Sequence, residues 1–145
     1  PDARGLITGI GRDTTSAHLA RAVLEGVALS IADLVDAMGA DAGARVRSMR
    51  VDGGAANNDL LMELQAALVE AEVLRPAVVE TTAVGAGMLA MLGCGLVGSK
   101  EALPDPGAAG ARVFDGRAAR ASRSVGDVEA LRSRWHTALR RALLT

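Results

Sequence analysis

The run Arg50-Val51-Asp52-Gly53-Gly54-Ala55-Ala56-Asn57-Asn58-Asp59-Leu60-Leu61-Met62 carries the residue types and spacing best suited to chemistry. It reads as a short strand, a glycine turn and the start of a helix, a geometry with which many α/β proteins hold a nucleotide. Gly53 and Gly54 have no side chains, so the main chain can approach a ligand closely there. The free N–H groups at the start of the next helix favour polar or anionic ligand groups. Asn58 offers both donors and an acceptor to an adenosine or a phosphate. The same residues also mark an ordinary turn followed by a capped helix. On spacing alone, both meanings stand. Asp52, a carboxylate beside a Gly-Gly turn, reads as a turn stabiliser rather than a catalytic base.

The elements that must position this turn are legible as a succession of strands and helices. Gly5 to Ile10 is expected to be a short buried strand. Asp13, Thr14 or Thr15 can cap the helix that follows. Leu19, Val23, Val27, Ile31, Leu34 and Met38 recur at spacings of three and four, which makes them its expected inward face. Gly39 is the expected stop. Val46 to Val51 is the second strand, and a helix over Asn57 to Val69 places Leu61, Leu64, Gln65 and Leu68 on related faces. Val73 to Pro76 is a strand stopped by proline. Thr81 or Thr82 is expected to cap a third helix whose small residues favour close approach to a sheet or another helix.

Lys100 to Leu103 forms a helical turn, and Pro104 to Gly116 reads as a loop. Ser124 to Leu144 is a final amphipathic helix with Val128, Leu131, Trp135, Leu139 and Ala142 or Leu143 inward. The expected division is therefore an α/β core over residues 1–103, a loop over 104–123 and a helix over 124–145. Alternation of strand and helix argues for a layered α/β domain.

The chain has 145 residues, half of them hydrophobic, enough for one domain with a real core. Sixteen basic and 17 acidic residues give a net charge of −1, which argues against a nucleic-acid or membrane-surface protein. The late basic residues, Arg112 to Arg141, read as a solvated helical face. A single cysteine, Cys94, rules out an internal disulfide, and it is expected to be a buried small hydrophobe. The two histidines lie far apart in sequence and form no metal-ligand motif. There is no signal-peptide pattern or bilayer-length apolar run, and a cytoplasmic location follows by default. Aromatic residues are limited to one Phe and one Trp, so Ala, Gly, Val and Leu must build the core.

Three stretches together resemble the C-terminal portion of the FGGY carbohydrate kinase family, its glycerol kinases in particular. The first is Gly5-x-Ile7-x-Gly9-Ile10 followed by His18-Leu19-x-x-Ala22-Val23-Leu24-Glu25, with Ala3-Arg4 ahead of it. The second is Arg50 to Met62. The third is Arg75-Pro76 with Glu80-Thr81-Thr82-Ala83-Val84-Gly85-Ala86. The resemblance implies an α/β fold that is part of an actin-like, ribonuclease-H-like ATPase domain. It implies nucleotide binding at Gly53, Gly54 and Asn58, with ATP/ADP as nucleotide and Mg2+ held outside this segment. It implies glycerol as the phosphoryl acceptor, with xylulose or gluconate as alternatives. His18 and Glu25 match signature positions but read as helix-start and helix-face residues. The family's catalytic aspartate and polyol site precede the stretch seen here, so the expected partner is that missing N-terminal domain. A segment separated from it would be inactive, or a non-catalytic nucleotide-binding or interaction module. Open strand edges near Ile7 or Val51 would favour self-association, which leaves a homo-oligomer open.

Overall fold

A computed structural model describes residues 5–105 and 110–143. Its centre is a sheet of three strands in the order β1 (Ser48–Arg50), β2 (Glu72–Pro76), β3 (Ala111–Phe114). β1 and β2 run parallel, with Met49 opposite Val73 and Arg50 opposite Leu74. A parallel pair needs a crossover, and α2 (Asp59–Val69) supplies it. β3 is antiparallel to β2, with Val73 opposite Phe114 and Arg75 opposite Arg112.

α2 is buried along nearly its whole length, from Leu61 and Met62 through Leu64 to Val69. It lies between α1 (Ser16–Ala42) and the short α4 (Gly116–Arg120). α4 comes close because Gly116 has no side chain. A Cβ there would stand 2.7 Å from the Ala66 carbonyl oxygen and 2.8 Å from the Ala71 nitrogen. Gln65 is buried on α2, and its Oε1 finds no partner among the described residues.

α1 starts as the sequence suggests. Thr15 caps it, and His18 completes a reciprocal box, its Nδ1 accepting the Thr15 N–H at 3.1 Å. The helix runs through Gly39 and ends at Gly43, whose φ of 62° is left-handed. Its buried side is Ala28, Leu29 and Ala32, with Leu24 and Val35 beside them. This overturns the expected inward face. Val23 is 64% exposed, Leu34 60% and Met38 55%. Small residues let α1 approach α2, and the larger apolar stripe is left facing out.

Other expectations are also corrected. Gly5 to Ile10 forms no strand, and Leu6, Ile7 and Ile10 are exposed, since no described strand lies beside them to pair with. The loop expected over 104–123 contains β3 and α4, which take their order from pairing with β2 and contact with α2. Residues 106–109 of that loop lie outside the described residues, as do Ala3, Arg4 and Leu144. The last helix, α5 (Val128–Leu143), begins after Ser124, where the Asp127 carboxylate accepts the Ala130 N–H at 3.0 Å. It buries Val128 and Leu131, while Leu139 and Leu143 are exposed. α3 (Thr81–Gly93) has no buried residue, so its small residues meet no close neighbour. Cys94 is exposed, not buried.

Several late arginines are tied down rather than simply solvated. Arg132 donates to the Asp36 carboxylate at 2.8 Å and to the Leu68 carbonyl at 2.6 Å. Arg120 bridges Glu70 and Glu129. Glu70, with a left-handed φ of 50°, ends α2 and also pairs with Arg45. Among the described residues no helix is long and apolar enough to cross a membrane.

Candidate functional site

The Asp52–Asn58 turn lies at the C-terminal end of β1, where the chain leaves the parallel pair and enters α2. In open α/β sheets that end of the strands is where ligands bind. Gly53 has φ 76° and ψ 172°, a region that only glycine adopts without strain. Its N–H donates to the Val79 carbonyl at 2.7 Å, tying the turn to the segment between β2 and α3.

Gly54 differs from Gly53. It opens a short 3₁₀ turn, Gly54–Asn57, and has no left-handed φ; a Cβ there would find nothing among the described residues within 4 Å. Neither backbone conformation nor any described neighbour requires glycine at this position. A ligand lying close to the main chain would.

Asn58 caps α2, its Oδ1 accepting the Leu61 N–H at 3.0 Å. The side chain is exposed, and its Nδ2 makes no hydrogen bond to a described residue. The cap and the ligand meanings of Asn58 are therefore compatible, because they use different atoms. Gly53, Gly54 and Asn58 thus stand on one turn.

Asp52 accepts a hydrogen bond from the Thr81 hydroxyl. Both residues act to join the turn to α3. Thr81 is not the cap that the sequence suggested; Glu80 occupies that position and makes no side-chain capping bond. Beside the turn is a pocket of about 360 Å³, lined by Val51, Asp52, Leu74, Pro76, Val78 and Thr81 among others. That volume lies at the small end of ordinary ligand pockets. A larger hollow of about 540 Å³ lies at the other end of α2, where Glu70, Arg120 and Arg132 already have partners.

His18 and Glu25 take the structural roles expected of them. Glu25 pairs at 2.6 Å with Arg21, which also donates to the Ser124 carbonyl at 2.6 Å.

One cluster beside the turn is not readable from the sequence, although Arg75 and Asp59 both stand in the family-like stretches. Arg75, on β2, donates from Nη1 to the Ala56 carbonyl and to Asp59 Oδ1, each at 2.8 Å. Arg112, opposite it on β3, donates to Asp59 Oδ2 at 2.7 Å. Both guanidinium groups lie over the Phe114 ring, at 5.3 and 4.7 Å from its centroid. The hydrogen bond from Arg75, then the one from Arg112, hold the Asp59 carboxyl below its ordinary value of 3.8. The signals in the sequence are adjacency, Asp59 following Asn58 and Arg75 preceding the proline that ends β2, and the place of Arg75-Pro76 in the third family-like stretch.

The βαβ unit, with its glycine turn at the strand end, makes this an α/β domain, an arrangement consistent with an ATPase-like fold. Residues 1–94 match the C-terminal domain of the FGGY family of carbohydrate kinases, and the chain belongs to that family. It is 49% identical to a glycerol kinase of Acidovorax sp. (strain JS42), over 99% of this chain and 28% of that protein. It is 56% identical to a glycerol kinase of Paracidovorax citrulli (strain AAC00-1), over 71% of this chain and 21% of that protein. Against a glycerol kinase of Rhodopirellula baltica the identity is 55%, over 64% of this chain and 17% of that protein. The chain thus spans less than a third of the length of these relatives.

Proposed function

We propose that this chain is the adenosine-holding part of an ATP-dependent glycerol kinase, which converts ATP and glycerol to ADP and glycerol 3-phosphate. The observation that carries the reading is Gly54: a glycine that the fold itself does not require, on an exposed turn at the end of a parallel strand. Similarity to glycerol kinases supports the choice of acceptor.

In this reading the Gly53–Gly54 main chain lies against the nucleotide, and Asn58 Nδ2 donates to it while Oδ1 keeps its cap. ATP supplies the phosphoryl group. The glycerol hydroxyl attacks the γ-phosphorus, a new O–P bond forms, and the bond to the ADP oxygen breaks. The hydroxyl proton passes to a base in the chain that precedes this stretch in the family. The role of Gly53, Gly54 and Asn58 is orientation, which in phosphoryl transfer is a large share of catalysis. Among the described residues no three acidic, His or Cys side chains stand together to hold a metal. In this reading Mg2+ would be held by the phosphates and by the chain that precedes this stretch in the family.

The outward stripe of α1, Val23, Leu34 and Met38, supports a partner of that kind, because contiguous exposed apolar surface marks an interaction face. The test is ADP affinity and glycerol-dependent ADP formation by the native polypeptide carrying this segment. Asn58→Ser keeps a capping oxygen and removes the amide donor. The reading expects weaker ADP binding in that variant. Unchanged ADP affinity would remove Asn58 from the site, and no glycerol-dependent turnover in the wild type would leave a non-catalytic module.

A further inference from the structure

The turn that carries Gly53, Gly54 and Asn58 is held at its outer edges by bonds already described, Gly53 to Val79 and Leu61 to Asn58. Its middle is held by one side chain from another element. Arg75 is only 15% exposed, and Nη1 serves both the Ala56 carbonyl and the Asp59 carboxylate. Ala56 is itself buried, so its carbonyl would be left poorly satisfied without that donor.

The way Arg75 is fixed argues for a purpose at this spot. Arg75 and Arg112 are direct cross-strand partners, and like charges in that arrangement repel. Asp59 resolves the conflict by taking one hydrogen bond from each, on its two oxygens. Phe114, the one phenylalanine of the chain, sits under both guanidinium planes, a favourable arrangement for cations over a ring. The cluster therefore couples the β2–β3 pair rigidly to the first residue of α2 and to the turn before it.

We infer that Arg75 is a positioning residue for the nucleotide turn. It holds Ala56 and Asp59 so that Gly54 and Asn58 present their main chain and amide at a fixed place. In this role it acts through the turn, with Nη1 given to Ala56 and Asp59. The inference rests on the nucleotide reading above and adds the residue that sets the geometry of that site.

The experiment measures ADP dissociation constants and hydrogen–deuterium exchange over residues 53–61, in the native polypeptide that carries this segment. Arg75→Ala is expected to weaken ADP binding about tenfold or more, the scale of a lost charge-assisted hydrogen bond. It should also speed exchange over 53–61 in the nucleotide-free protein. Arg120→Ala, which breaks an ion pair at the far end of α2, is expected to keep ADP affinity within about twofold, since distant sites act independently. This comparison separates positioning from a general loss of stability. Arg75→Lys keeps the charge and can give one nitrogen to both acceptors, so it should recover part of the affinity. If Arg75→Ala does not fold, Arg75→Lys carries the test, with affinity between wild type and about tenfold weaker and faster exchange over 53–61.

If Asn58→Ser weakens ADP binding while the Arg75 variants bind as wild type, the inference falls and the nucleotide reading stands. Equal losses in Arg75→Ala and Arg120→Ala also overturn it, because the effect is then one of stability. If neither Asn58→Ser nor Arg75→Ala changes ADP affinity, both fall.

Discussion

The main-chain N–H of Gly53 donates to the carbonyl of Val79 at 2.7 Å, joining the turn after β1 to the segment after β2. Gly53 can do so because its φ is 76° and its ψ 172°. An L side chain in that region costs about 1–3 kcal/mol. Gly53→Ala is therefore expected to lower stability by that amount and to weaken nucleotide binding together with it. Denaturant unfolding of the native polypeptide checks the first, and ADP titration the second.

Stability should also fall in acid in a predictable window. The Asp59 carboxyl is held below its ordinary 3.8 by Arg75 and then Arg112. The Glu70 carboxyl is held below its ordinary 4.5 by Arg45, with Arg120 adding to the effect. A depressed folded-state value means that the unfolded chain takes up protons first as pH falls. The stabilisation is present above 4.5 and 3.8 and is lost as pH drops through the lower folded values. Asp59→Asn combined with Glu70→Gln should flatten the fall of stability across that window. An unchanged slope in pH-dependent unfolding would show that these two carboxylates do not drive it.

The open stripe on α1 gives a third expectation. Val23 and Leu34 are 64% and 60% exposed here, and substitutions at truly exposed sites change stability by only about 0.5 kcal/mol. If further chain covers the stripe in the native polypeptide, as proposed, Val23→Asp with Leu34→Asp should cost on the order of 3 kcal/mol or more, from lost burial and from charge placed against apolar groups. Thermal unfolding distinguishes the two cases.

These particular residues show how far the sequence was readable. Thr15 and Asn58 could be seen as caps because capping is local chemistry, set by a few neighbouring residues. α2 and β2 were legible from periodicity and from Pro76. β3 was not, since Ala111-Arg112-Val113-Phe114 follows a Pro- and Gly-rich stretch and becomes a strand through pairing with β2. The buried face of α1 departs from the periodicity for a related reason. Periodicity locates an apolar stripe, but contact with α2 selected the small residues Ala28 and Ala32 instead. At the candidate site, Gly53, Gly54 and Asn58 could be proposed together because they fall within one six-residue run. The Arg75–Asp59–Arg112 cluster joins three elements that are distant in sequence, and only the fold brings them together.

Gly54→Ala tests the central claim most directly. Nothing among the described residues lies within 4 Å of the added Cβ, and no left-handed φ stands in its way. The variant is expected to fold with stability within about 0.5 kcal/mol of wild type while its ADP affinity falls about tenfold or more, as a methyl group intrudes where the nucleotide meets the main chain. Equal stability with undiminished ADP affinity would contradict the account, because Gly54 would then face no nucleotide.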